Sequence, residues 1–200
     1  MPESISFYFD FSSPYGYLAA QQIDGIAARH GREVAWRPML LGAVFKHTGV
    51  QPIVDIPMKG DYSRHDLARG ARRIGVPFVW PKTFPIFSVP ASRAVYWLDA
   101  EDPVAARGLS KALFTAAFGK GLDISTPESV AKIAGDQGHG PQSVLDALQA
   151  QEVKDRLRGE VEGAIEKGVF GSPFFFVDGE PFWGFDRLAD VEHWLESGGW

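Results

Sequence analysis

The stretches that read as β-strand lie at the two ends of this chain, and none is read between them. ISFYFDF (5–11) is β-branched and aromatic with a single Asp, and reads as a buried strand. REVAWRPMLL (32–41) reads as a second strand, ended by Pro38. Between them SPYGYLAAQQIDGIAARHG places Leu18, Ala19, Ile23 and Ile26 at helical spacing, with Gly31 as the stop. Strand, helix, strand in so short a span predicts a βαβ unit with parallel strands and a right-handed crossover. The β-pattern returns only at SPFFFVDGEPFWG (172–184): strand, Asp-Gly turn, strand. FDRLADVEHWLESGG then closes as a helix with Leu188, Val191, Trp194 and Leu195 on one face. A single sheet must draw on both ends, so the segment between them leaves the sheet and returns to it.

That segment is helical in pattern. Helices are expected at 61–75, 89–101, 103–119, 127–138, 141–150 and 151–168. Two starts are well signalled, Asp102-Pro103 and Thr126-Pro127-Glu128, each a capping residue followed by Pro at the first helical position. The expected fold class is α/β. The order βαβ…ββα is that of a thioredoxin-like fold, here with a large all-helical insertion. The expected division is 1–41 with 165–200 as the thioredoxin-like domain and 42–164 as the helical insertion.

Several functions are excluded early. The chain has no cysteine, so disulfide exchange and thiolate metal sites have no sulfur to use. A formal charge of −5 with no Lys/Arg-rich run gives no footprint for nucleic acid. No apolar run is long enough for a membrane helix. The first residues lack the basic flank and apolar stretch of a secretion signal, so a cytoplasmic location is expected. The five histidines show no metal spacing, and no metal is expected. GKG (119–121) lacks the strand and glycines of a phosphate loop. Glu160, Glu162 and Glu166 read as a solvated helix face. WPKTFPIF (80–87) reads as packing, or as an aromatic wall for a ligand.

Three junctions carry possible chemistry. In YFDFSSPYGYL (8–18), Ser13 precedes a Pro at a helix start. It reads as an N-cap, worth about 1 kcal/mol, or as a hydroxyl beside a helix N-terminus that donates to a ligand's thiolate. In GVFGSPFFFVDG, Pro173 is either a plain strand-start proline or part of a cis Ser172–Pro173 bond that offers the Ser172 N–H and carbonyl to an extended ligand. In FWGFDRL (182–188), Asp186 reads as the N-cap of the last helix, or, with Phe185 and Arg187, as donors and a charge for a carboxylate and an ammonium.

FYFDFSSPYGYLAA, MKGDY, FGSPFFFVDG and FWGFDRL, in this order and spacing, resemble the kappa-class glutathione transferases and 2-hydroxychromene-2-carboxylate isomerases of the DsbA-like thioredoxin superfamily. The resemblance implies a homodimer that uses glutathione as cofactor and a small aromatic carboxylate as substrate. It implies that Ser13 bonds the glutathione sulfur and that Ser172 and Pro173 hold the cysteinyl backbone. Lys59 would take the glycyl carboxylate, and Phe185 and Asp186 the γ-glutamyl end. Phe45, His47 and Trp183 would line the substrate pocket. The chain departs from the family at Gly49-Val50-Gln51-Pro52, which lacks an Asn able to reach glutathione, and at Phe87-Ser88. The implied reaction interconverts 2-hydroxychromene-2-carboxylate and trans-o-hydroxybenzylidenepyruvate. The alternatives are a kappa-like transferase or peroxidase acting on other electrophiles, and a non-catalytic binder on the same scaffold.

Overall fold

The computed structural model describes residues 3–200. Four strands form one mixed sheet in the order β2-β1-β3-β4. β1 (Ile5–Phe9) runs parallel to β2 (Val34–Pro38) and antiparallel to β3 (Phe174–Val177), which pairs with β4 (Glu180–Trp183). The hairpin turns on Asp178 and Gly179 at φ 53° and 87°, the left-handed values a two-residue turn of this hand requires.

The expected helix after β1 is two helices, α1 (Pro14–Ala20) and α2 (Ile23–Arg29). The reason is burial. Tyr17, Leu18, Ala19 and Ala20 are all buried, so α1 is enclosed on every side, whereas α2 buries only Ile23, Ile26 and Ala27. One straight helix has a single stripe to bury and does not meet both demands. The helical segment then runs through α3 (Leu41–Thr48), a 3₁₀ turn at Ile53–Asp55, α4 (Lys59–Ile74), α5 (Val89–Asp99) and α6 (Pro103–Phe114). α6 continues into a π turn, Thr115–Gly119, and is followed by α7 (Pro127–Asp136), α8 (Pro141–Gln149) and α9 (Gln151–Glu166). Asp102 and Thr126 cap α6 and α7 through their side chains, as their motifs require. α10 (Leu188–Ser197) closes the chain. No helix among the described residues is long and apolar enough to cross a membrane.

Alternation along β1 builds two cores. Phe7 and Phe9 face one side, where Phe7 stacks on Phe175 at 5.2 Å and meets Trp36 edge-on at 5.0 Å. Such pairs add about 0.5–1.5 kcal/mol each beyond area burial. This core continues into the helical segment through Phe11 and Phe114, 4.9 Å apart. Tyr8 faces the other side, with Phe174, Val44 of α3, Tyr96 of α5 and Leu157, Val161 and Ala164 of α9. The sheet and the helical segment therefore share both cores, and the C-terminal end of β1 opens where they meet. Within WPKTFPIF, Trp80 packs edge-on against Phe84 at 5.1 Å and carries Arg64 over its ring at 4.5 Å, while Phe87 is exposed.

Candidate functional site

β1 ends at Phe9, and the next four residues form a knot. Ser13, extended at φ −94° and ψ 109°, caps α1. Its Oγ accepts the Gly16 N–H at 3.0 Å, and its hydroxyl donates to the Ser172 carbonyl at 2.8 Å. The Ser172–Pro173 peptide is cis. The Asp10 N–H donates to Ser172 Oγ at 3.0 Å, and the Ser13 N–H donates to the Asp10 carbonyl at 2.9 Å. Ser13 is only 5% exposed. Gly16 suits this close approach, because a Cβ on it would stand 3.1 Å from Ser172 Oγ and 3.2 Å from Ser13 Cβ and would press on both.

The residue that organises the knot is Asp10, 2% exposed. Its Oδ1 accepts the Ser12 N–H at 2.7 Å, and its Oδ2 accepts the N–H of Leu41, first residue of α3, at 2.6 Å. Burial pushes its carboxyl above the ordinary value, and the bonds from Ser12, Leu41 and Ser88 offset part of that rise. Sequence reasoning passed over Asp10. The one available signal was a lone acid in an otherwise apolar strand.

Not every donor is used. Among the described residues, the amides of Tyr15, Ser172, Phe185 and Asp186 donate to no group. The Ser172 carbonyl is not open as expected, since it already holds the Ser13 proton. Thus the roles foreseen for Ser13 and for the Ser172 carbonyl draw on the same hydrogen. Pro173 contributes its carbonyl, which accepts the Gly184 N–H at 3.0 Å and ties β4 to the knot.

Asp186 does not cap the last helix. Gly184, at φ 114°, turns the chain into a 3₁₀ turn, Phe185–Arg187, and α10 begins at Leu188 without a side-chain cap. Asp186 is exposed instead, 3.4 Å from Arg187. Phe185 packs against Gly70 of α4. Beside it Tyr15 donates to Asp66 at 2.9 Å, and Asp66 is paired with Arg69 at 2.5 Å. Burial, the bond to Asp66, and the charges of Asp66 and Asp186 hold the Tyr15 phenol far above its ordinary value, so it stays protonated.

Lys59 is exposed and is the first residue of α4. A cation at a helix N-terminus opposes the macrodipole, so helix stability does not explain it. Met58, just before it, has φ 65°, a left-handed value rare outside glycine. Gly60 lets the preceding turn dock, because a Cβ there would lie 2.4 Å from the Val54 carbonyl oxygen. Phe45 and His47 lie in the second half of α3, half-buried and exposed respectively. Neither shares a hydrogen bond with the knot among the described residues. Trp183, 55% exposed, meets Phe170 edge-on at 4.9 Å and covers Gly171, so it braces the loop that carries Ser172.

Comparison with known proteins gives consistent likenesses. The DSBA-like thioredoxin domain family matches residues 4–196. The chain is 31% identical over 190 residues to a 2-hydroxychromene-2-carboxylate isomerase of Pseudomonas putida, covering 94% of this chain and 92% of that one. It is 27% identical over 207 residues to human glutathione S-transferase kappa 1, covering 98% and 92%. A solved 2-hydroxychromene-2-carboxylate isomerase superposes with a TM-score of 0.88 at 28% identity, over 97% of this chain and 95% of that one.

Proposed function

We propose a reaction for this chain, which belongs to the DSBA-like thioredoxin domain family and, within it, to the 2-hydroxychromene-2-carboxylate isomerases and kappa-class glutathione transferases. It is an enzyme of that group. Its reaction is the interconversion of 2-hydroxychromene-2-carboxylate and trans-o-hydroxybenzylidenepyruvate with glutathione as cofactor. The observation that carries this reading is the hydroxyl of Ser13, buried on a helix cap beside unpaired amides in a protein with no sulfhydryl of its own.

The residues fit a peptide thiol. The free amides of Tyr15, Ser172, Phe185 and Asp186, the Lys59 ammonium and the Asp186 carboxylate match its acceptors and its one ammonium. Glutathione, when bound, supplies a thiolate that adds to and leaves a conjugated double bond, which permits rotation about that bond. Ser13 turns its proton from the Ser172 carbonyl to the sulfur position, and the Tyr15 N–H is the second donor there. Ser172 holds the extended backbone through its N–H and through the carbonyl that Ser13 releases. Lys59 takes the terminal carboxylate, which accounts for a cation at the wrong end of α4. The Phe185 and Asp186 amides take the α-carboxylate, and the Asp186 side chain takes the ammonium. Phe45, His47 and the open face of Trp183 receive the aromatic acid. The enzyme works as a homodimer.

The test is a thermal shift with millimolar glutathione, followed by an assay of the chromene-carboxylate interconversion. A rise in Tm with isomerase turnover supports the proposal. No rise in Tm overturns the choice of glutathione. A second reading, transfer of glutathione to other electrophiles, draws on exposed Val50 and Phe87, which put apolar surface where the family resemblance places pocket walls. Turnover of a general electrophile without isomerisation selects it.

A further inference from the structure

A cavity of about 300 Å³ lies on the sheet face away from α1, between the sheet and α9. Tyr8 of β1 and Arg37 of β2 form its floor, and Arg156, Glu160 and Lys167 its wall and rim. It has no part in the reaction above, because α1 packs in the opposite core.

Its polar groups are not satisfied by one another. Tyr8 is 3% exposed, yet its hydroxyl forms no hydrogen bond among the described residues. Among the described residues Arg37 reaches only Glu160, at a long 3.4 Å, and its Nε is buried without an acceptor. Lys167 forms no ion pair among the described residues. Arg156 is engaged more closely, donating to the Tyr96 carbonyl at 2.7 Å and pairing with Asp99. Three cations therefore meet two carboxylates, Glu160 and Asp99, and the balance is positive.

The helix leaves room for something else. Gly159 and Gly163, one turn apart on α9, line this cavity, and a Cβ on either would meet nothing within 4 Å. Glycine is the poorest helix former after proline, so neither packing nor helix propensity accounts for the pair. Glu160, read from sequence as part of a solvated face, instead faces Arg37 across this cavity.

We infer that this cavity binds a small organic oxyanion, a carboxylate or a phosphate, which takes the Tyr8 hydroxyl and the Arg37 and Lys167 charges. A phenol donor with one re-aimable guanidinium and one free ammonium recognises such a group.

The test is thermal unfolding of the full chain with succinate or inorganic phosphate, against chloride at equal ionic strength. A saturable rise in Tm is expected with at least one of the two, and the responding probe identifies the source. Tyr8→Phe and Arg37→Gln should each weaken apparent affinity at least tenfold, while Ser13→Ala leaves it unchanged. Gly163→Leu should preserve or raise the Tm of the free protein and abolish the response, which separates loss of binding from loss of fold. The inference is overturned if neither anion gives a saturable shift beyond chloride. It is equally overturned if the response survives undiminished in Arg37→Gln or in Gly163→Leu.

Discussion

The two ends of the candidate site are built by different physics. At the Ser13 end the side chains are tied: Asp10 and Ser13 bond each other, and both bond Ser172, remote in sequence. At the other end Lys59 is exposed and unpaired among the described residues, and Asp186 has one long contact to Arg187. The first end is fixed before any ligand arrives, which is what charge stabilisation in a reacting centre needs. The second end offers screened charges that guide and orient. Substitution in the knot should therefore disturb fold and chemistry together, while substitution at the rim should disturb binding alone.

The hardest test of that division is Asp10→Ala. It orphans two part-buried N–H groups, those of Ser12 and Leu41, for which full desolvation sets the upper bound. Each costs about 1–3 kcal/mol, so roughly 2–6 kcal/mol of stability should go. At about 2–4 °C per kcal/mol for a chain of this size, the loss is obvious in a melt. A change below about 1 kcal/mol would mean that the knot does not depend on this carboxylate. Ser13→Ala comes next. It should cost about 1 kcal/mol through the lost cap but lower kcat/KM by about 10²–10³, the usual effect of deleting one charge-stabilising donor. Turnover that survives unchanged removes Ser13 from the chemistry and erases the contrast.

Much of this architecture was legible because its causes are local. The Asp-Gly turn, the caps at Asp102 and Thr126, and Ser13 at the start of α1 all follow from chemistry within a few residues. What escaped has partners far along the chain. Asp10 is defined by Leu41 and Ser88, and no spacing rule joins a lone acid in a strand to either. The break at Gln21–Gln22 follows from enclosure of α1 by its tertiary neighbours, which helical periodicity does not register. Asp186 looked like a cap because Asp before an apolar run usually is one, but Gly184 at φ 114° redirects the backbone one turn earlier. Lys59 was identified through family resemblance. Its place at the unfavourable end of α4 is visible only in the fold.

Lys59→Ala sharpens the comparison from the rim. Stability should hold or rise by up to about 1 kcal/mol, because a cation leaves a helix N-terminus. Half-saturation by glutathione should shift roughly 1.4- to 5-fold, the span of an exposed ion pair worth about 0.2–1 kcal/mol. At molar salt the difference between wild type and variant should vanish, since the screening length is then about 3 Å. A drop in Tm comparable to that of Asp10→Ala would place Lys59 in the scaffold and break the division.

The smallest effect is the most diagnostic of the buried end. Burial raises the Asp10 carboxyl above its ordinary 3.8, against the pull of its hydrogen bonds. A group raised on folding contributes stability that is fully present below its unfolded value and is lost as pH climbs through its folded value. Asp10 therefore favours the fold in acid, opposite in sign to a carboxylate held by an ion pair. Asp10→Asn is the reference, because it keeps one acceptor and cannot ionise. The unfolding free energy of wild type minus that of Asp10→Asn should fall as pH rises from 3.8 through the raised folded value, and then level off. If that difference rises with pH instead, the N–H groups of Ser12 and Leu41 outweigh burial. Asp10 would then be an anion stabilised by its site, with a negative charge standing permanently beneath the place proposed for a thiolate.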